Sequence, residues 1–181
     1  MELARGYVWT QVQTTTHKFW VAYYILRFVC WDFLHDRPDQ LRLRDYANLL
    51  WRAAIHDLSK YRWDEAKHFA RSIFKLKTTT YGTPEYKALL DSIRPALDLH
   101  YRRNRHHPEY WAWGVNQMEP LDKIEMVMDF CAAVRRHNDG DVQRSIKQNQ
   151  ERFGYSDRER EYFSWLAFIV GGRTTEARPT L

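Results

Sequence analysis

A carboxylate in apolar surroundings constrains this chain more than any other feature. Asp129 lies in Met126-Val-Met-Asp-Phe-Cys-Ala-Ala-Val134, a stretch that is otherwise wholly apolar. A lone buried carboxylate costs several kcal/mol unless it is paired, hydrogen-bonded or bound to a cation, so the fold must bring partners to it from elsewhere. The candidates are His17, the dipeptide His56-Asp57, and the later group His100, His106 and His107. Neighbouring residues on a helix point about 100° apart, so His56 and Asp57 can face one cation together only where a helix end lets both turn inward. They stand at the end of the apolar helical stretch Trp51-Arg-Ala-Ala-Ile-His-Asp-Leu-Ser-Lys-Tyr61.

Strand-like alternation is nearly absent, whereas apolar spacings of three and four recur, so the expectation is an all-α bundle of about six to seven helices. Thr14-Thr15-Thr16 offers an N-cap for a first helix from about His17 to Leu34. A second is expected over about 43–56, with Tyr46, Leu49, Leu50, Ala53 and Ala54 toward the core. A third, over about 63–75, carries Asp64 and Glu65 in its first turn, where acids complement the helix dipole. Thr83-Pro84-Glu85 opens a fourth reaching about Arg103, which Pro95 should kink or split near Ser92. An aromatic loop, Asn104 to Glu119, precedes a fifth helix over about 121–137, and two more over about 141–152 and 157–170 close a single domain, 1–170. The polar tail 171–181 is expected to be disordered.

The chain has 181 residues, 44% of them hydrophobic and 15% aromatic, enough for a core without staples. No apolar run approaches the roughly 20 residues of a bilayer span, and the densest, Phe19 to Leu34, is interrupted by Arg27 and Asp32. The first residues lack a signal peptide's basic and apolar segments, so a cytoplasmic protein with no membrane partner is expected. Cys30 and Cys131 read as buried thiols, and Trp20, Trp31, Trp51 and Trp165 fall on apolar helix faces. A formal charge of +5 suits an anionic partner, although the basic residues are scattered except in Tyr101-Arg-Arg-Asn-Arg-His-His107.

Imidazole and carboxylate together suit one or two divalent transition metal ions such as Mn, Fe, Zn, Ni or Co, whereas an all-oxygen shell would indicate Mg²⁺ or Ca²⁺. Glu125 and Asp122 share the helix face of Asp129. Glu125 is placed to orient a ligand imidazole or take a proton from water, and Asp122 reads as a solvated edge. His35, His68 and His137 read as solvated. For His106-His107, before Pro108, a packed loop turn competes with ligation. The segment Tyr110-Trp-Ala-Trp113 reads as core packing beneath a long connection, or as a lid that stacks on a base.

The order His17, His56-Asp57, His100, His106 or His107, Asp129 resembles the HD-domain superfamily of metal-dependent phosphohydrolases over roughly residues 17–133. The string His100-Tyr-Arg-Arg-Asn-Arg-His-His-Pro-Glu-Tyr-Trp111, with His56-Asp-Leu-Ser-Lys60, also resembles small uncharacterised HD-like proteins of bacteria and phages. The resemblance implies that His17, His56, Asp57 and Asp129 hold one metal, and that His100 with His106 or His107 adds a second. Single-metal nucleotidases of the superfamily carry a glutamate where this chain has Lys60. A lysine there is similar to the two-metal branch, which includes cyclic-dinucleotide phosphodiesterases and di-iron oxygenases.

The resulting expectation is hydrolysis of a phosphate ester in a small anionic, nucleotide-like substrate. The metals would hold a phosphate oxygen and activate water, Lys60 and one of Arg102, Arg103 or Arg105 would neutralise developing charge, and Glu125 or Glu65 would move a proton. The alternatives are a di-iron oxygenase of a small polar substrate, and a non-catalytic helical module that holds nucleic acid on its basic aromatic surface.

Overall fold

The helix that carries Asp129 is apolar nearly all round, and such a helix is stable only when other elements enclose it. This helix, α6 (Pro120–Ala133), buries Ile124, Met126, Val127, Met128, Cys131 and Ala132. The computed structural model describes residues 2–35, 40–80, 83–136 and 139–173, and among them there are eight α-helices and no strand. The others are α1 (Glu2–Leu34), α2 (Leu43–Ile55), α3 (Trp63–Thr78), α4 (Pro84–Ser92), α5 (Arg94–Arg103), α7 (Val142–Phe153) and α8 (Asp157–Ile169). Short 3-10 turns at Leu58–Tyr61, Pro108–Tyr110, Gly114–Gln117 and Val134–Arg136 join them. The core formed around α6 takes Val21, Tyr24, Ile25 and Phe28 from α1, Leu49 and Ala53 from α2, Ile146 from α7, and Phe163 and Leu166 from α8. None of the helices is long and apolar enough to cross a membrane.

The first helix begins far earlier than its threonines suggest. Thr14 to Thr16 do not cap it; they lie within a helix of 33 residues, about 50 Å long, and His17 is at its middle. The reason is local: the Thr15 hydroxyl donates to the Gln11 carbonyl at 2.8 Å, and Thr10 does the same to Gly6, so these hydroxyls are satisfied without ending the helix. Pro95 divides the fourth segment as its missing N–H requires, with the break at Ile93 between α4 and α5.

Several residues expected inside are outside. On α2 only Tyr46, Leu49 and Ala53 are buried, while Leu50 and Ala54 are exposed. Cys131 is buried but Cys30 is exposed, and Trp51 faces outward, because their helices present one buried face and these residues lie off it. Trp111 does pack against the core, donating from Nε1 to the Arg105 carbonyl at 2.8 Å, whereas Trp113 is exposed. His35 is exposed as expected. His137 and residues 174–181 lie outside the described residues.

Two glycines do different work. At Gly6 an added Cβ would stand 2.1 Å from the Ala70 carbonyl oxygen, so glycine is what lets α1 approach α3. Gly154 ends α7 in the left-handed conformation, φ 68°, with nothing within 4 Å of a Cβ. Gly6→Ala should therefore force two helices apart and cost about 2 kcal/mol or more, and Gly154→Ala about 1 kcal/mol through backbone strain alone. Urea denaturation of the two variants measures both, and equal losses would contradict this account.

Candidate metal centre

The turn after α2 is where the chain departs from regular geometry. α2 stops at Ile55, His56 takes φ −49° and ψ 129°, and Asp57 takes φ 55° and ψ 19°. Among the described residues Asp57 is the only non-glycine with positive φ, a conformation that aspartate tolerates better than most residues and that clusters at functional sites. The Lys60 N–H bonds to the Asp57 carbonyl at 3.0 Å and opens the 3-10 turn. This change of direction sends both side chains into the bundle, where His56 and Asp57 are almost completely buried.

There, side chains from α1, the α2 turn, α5, the loop after it, and α6 form two adjoining groups that share Asp57. One is His17, His56 and Asp57; the other is Asp57, His100, His106 and His107. Asp129 joins the first, its Oδ1 being 2.7 Å from His17 Nε2 and 3.9 Å from His56 Nε2. Asp57 Oδ1 is 3.7 Å from His56 Nε2, 3.4 Å from His100 Nε2 and 3.5 Å from His106 Nε2. Asp57 Oδ2 is 3.9 Å from His17 Nε2, and the two Nε2 atoms of His100 and His107 are 2.9 Å apart. Two donors at about 2.1 Å from one ion stand roughly 3.0 to 3.4 Å apart at octahedral to tetrahedral angles, so these separations are near the edges of a coordination shell. The Nε2 atoms of His56 and His106 and the Oδ1 atom of Asp57 are buried without a hydrogen-bond partner, an arrangement that a cation between them would resolve. These buried groups are positioned to bind a metal ion.

Behind the inward-facing atoms a second set of contacts fixes the rings. Glu125 Oε1 stands 2.9 Å from His56 Nδ1 and 3.2 Å from His106 Nδ1, so each Nδ1–H has an acceptor and each Nε2 is left to face the cavity. His100 Nδ1 is 3.3 Å from Glu65 and 3.2 Å from the Ser59 hydroxyl. The carboxylates are held in turn: Arg103 reaches Glu65 at 2.7 Å, and Arg52 reaches Glu125 at 3.2 Å and Asp122 at 2.5 Å. Asp122 is thus no solvated edge; it is fully buried, accepting from Arg52, from Arg105 and from the Glu119 N–H at the start of α6. A helix face that points at arginines from two other segments cannot be told from a solvent-facing one by spacing alone.

Burial and charge set the protonation of the cluster. Burial, reinforced by the Arg136 cation, lowers His17 to about 3. Burial also lowers His100 and His107, helped by Lys60 and by the neighbouring imidazoles respectively. His106 goes the other way: burial disfavours its cation, but the Glu125 bond and the surrounding carboxylates outweigh that. Asp57 and Asp129 are held well below the usual carboxylate range despite burial, Asp57 chiefly by Lys60 at 2.5 Å and Asp129 by His17. Neutral imidazoles and ionised carboxylates are the forms that ligate metals.

The centre opens into a cavity of about 390 Å³ whose walls include His17, His100, His107, Asp129 and Lys60. Its size is that of a small-molecule site. Of the expected basic residues only Lys60 lines it. Arg103 is committed to Asp64 and Glu65, Arg105 to Asp122 with its guanidinium 4.6 Å over the Trp111 ring, and Arg102 is exposed away from the lining. The cations that do line it besides Lys60 are Arg136, Arg144 and Arg152, which sequence reasoning passed over because a basic helix end needs no function to explain it.

Two outcomes follow. The neutral buried histidines keep their lowered pKa values only in the folded state, so below about pH 6.5 the unfolded chain takes up protons that the folded chain refuses. Metal-free protein should lose stability as pH falls from 7 to 5, with a slope that rises toward about 1.4 kcal/mol per pH unit for each such imidazole and is offset in part by His106, whose shift has the opposite sign, and a flat thermal denaturation midpoint across that range would contradict the protonation described. Glu125→Gln should fold normally and weaken metal binding by about 10- to 100-fold, read by a competing chelator.

None of the curated proteins and none of the solved structures compared with this chain matches it. One family model does, over residues 10–170, which include every cluster residue described above. The chain therefore belongs to that family, described as a family of unknown function, DUF5662.

Proposed function

We propose that this protein is a metal-dependent phosphohydrolase of HD type acting on a small anionic, nucleotide-like phosphate ester. The observation that carries the reading is Asp57 shared between two groups of imidazoles, its free Oδ1 facing the free Nε2 atoms of His56 and His106 beside a cavity of substrate size. The ligand set, nitrogen-rich with two carboxylates, favours transition metal ions over Mg²⁺ or Ca²⁺, and the two groups have room for one or two. Bound there, such ions activate water and take up charge on a phosphate oxygen.

The chain's own residues supply the rest. Glu125 and Glu65 hold the imidazoles in the tautomer that directs Nε2 inward, through His56 and His106 in one case and His100 in the other. Lys60 Nζ, bonded to Asp57 Oδ2 at the cavity wall, offers a cation to a substrate oxyanion. Among the described residues the guanidinium groups of Arg136 and Arg144 have no ion-pair partner, so they are available to an anionic substrate in the same cavity. Apolar walls from Leu90, Ile93 and Leu97 suit a substrate with a hydrophobic or planar body. A transition-metal cluster rich in histidine is also compatible with oxygen activation, and that chemistry is separable by experiment.

The test is elemental analysis of protein purified without added metal, together with a screen of nucleotides for phosphate release. The expected result is stoichiometric transition metal and release of phosphate, with both falling at least about 100-fold in His56→Ala. Substrate-dependent O₂ uptake after anaerobic iron loading, without phosphate release, would replace this reading with an oxygenase. Protein that carries no metal and takes none up would end both.

A further inference from the structure

Helix α1 buries one face against the bundle and leaves its opposite face apolar. Along that outer line stand Val8, Val12, Phe19, Leu26 and Phe33, which are 62%, 47%, 63%, 51% and 65% exposed. They recur at steps of four and seven, the spacing of a continuous stripe on one side of a helix, and no charged residue falls among them. An ordinary surface helix carries Lys, Glu or Arg on that side.

Helix α2 extends the same surface. It runs antiparallel to α1: the Phe33 ring lies 6.2 Å from Tyr46 near the start of α2, while the Thr15 hydroxyl bonds to Tyr61 just beyond its end at 2.7 Å. Its outward residues include Trp51, Leu50 and Ile55, 64%, 44% and 39% exposed, with Leu58 following in the next turn. Together these side chains leave on the order of 1,000 Å² of apolar surface, against the roughly 300 to 600 Å² of the largest patch on a typical monomer. About 800 Å² per partner is what a standard stable interface buries.

We propose that the α1–α2 face is a homodimer interface, in which a second copy of this chain lays its own α1 and α2 against it to complete a four-helix layer. Self-association fits for two reasons. The area available is of the order that a stable dimer covers, and the α1 stripe, which carries no charge, can meet its own copy across a twofold axis without burying an unpaired charge. On α2 the exposed Arg44 stands seven residues before Trp51 on the same outward line, 3.7 Å from Asp45, and its long side chain can keep the guanidinium in water while the apolar residues around it are covered. His17 is on the opposite, inner side of α1, so the pairing holds the helix that carries a cluster residue while leaving the cavity open.

Sedimentation velocity of the full chain at about 1 to 100 μM should give a dimer. Phe19→Glu with Leu26→Glu should convert it to monomer with unchanged helix content, and Trp51→Glu, on the other helix, should weaken it by at least tenfold in dissociation constant. Exposed Cys30 lies next to the stripe, so its alkylation by a maleimide should be slowed in the dimer and restored in the monomeric variant, whereas buried Cys131 stays unreactive in both. A wild-type chain that is monomeric throughout this range overturns the proposal, as does a dimer that survives both substitutions. So does a monomer that floats with vesicles of phosphatidylcholine and phosphatidylglycerol, which would make the face a lipid contact. The metal content of each variant is independent of these readouts, so failure of the proposed chemistry and failure of the dimer are told apart.

Discussion

Charge compensation inside an apolar bundle is the constraint from which the rest of this structure follows. Asp57, Asp129, Glu65 and Glu125 are gathered in space that water scarcely reaches, and carboxylates placed so close repel one another strongly at low dielectric. The fold answers in shells. Innermost are imidazole nitrogens and carboxylate oxygens facing a common space; behind them Glu125 and Glu65 receive the outer ring nitrogens; behind those Arg52 and Arg103 hold the glutamates and lead outward toward solvent. Each shell leaves the next one inward with a fixed orientation. What the protein side chains leave unresolved is at the centre, where the His56, His106 and Asp57 atoms lack partners. The deficit at that point is of positive charge, and a metal ion is the group that removes it without a further proton.

This arrangement explains why the helices are where they are. α6 buries apolar residues around most of its circumference because it must be enclosed if Asp129 is to be brought to the cluster from the middle of the bundle, and its acids Asp122 and Glu125 are buried with partners. α1 is long because His17 has to be supplied from a helix that also packs on α3 at Gly6 and on the core at Val21 to Phe28. At Asp57, the only non-glycine with positive φ among the described residues, the backbone leaves helical geometry so that two consecutive residues reach the same space. Strain of this kind persists only when the surrounding packing over-determines it, and here the preceding His56 is committed to Glu125 while Lys60, three residues on, is bonded to Asp57 itself.

The parts of this that could be read in the sequence were those where residue chemistry conflicts with its local setting. Asp129 in an apolar run and a His-Asp pair at a helix end required partners, and His17, His100, His106 and His107 are the residues found with them. Both members of the His106-His107 pair face the cluster, which spacing could not decide, because the loop conformation after α5 sets it. Asp122 was legible only as an acid on a helix surface, since its partners Arg52 and Arg105 come from distant segments. The threonines near residue 15 misled because a hydroxyl that can cap a helix can equally bond back to a carbonyl within one. Arg136 and Arg144 gave no signal, because only the packing of the junction between α6 and α7 turns them to the cavity.

That junction shows how position rather than composition gives a basic residue a role. Gly140 approaches the Val134 carbonyl so closely that a Cβ would stand 1.8 Å from its oxygen, which pins the start of α7 against the end of α6. Asp141 then caps α7 by accepting the Arg144 N–H at 2.9 Å, so its carboxylate is directed at the helix backbone. With Arg103 and Arg105 turned to acids behind the cluster and Arg136 and Arg144 turned to the cavity, arginines of similar sequence context divide into two kinds. The first kind supports the cluster from behind through charge pairs, and replacing one would leave a buried carboxylate with fewer partners, Asp122 with Arg52 and Glu65 with His100 and Ser59. The second kind carries no ion pair among the described residues and lines the cavity, Arg136 at the basic end of the turn after α6 and Arg144 in the first turn of α7.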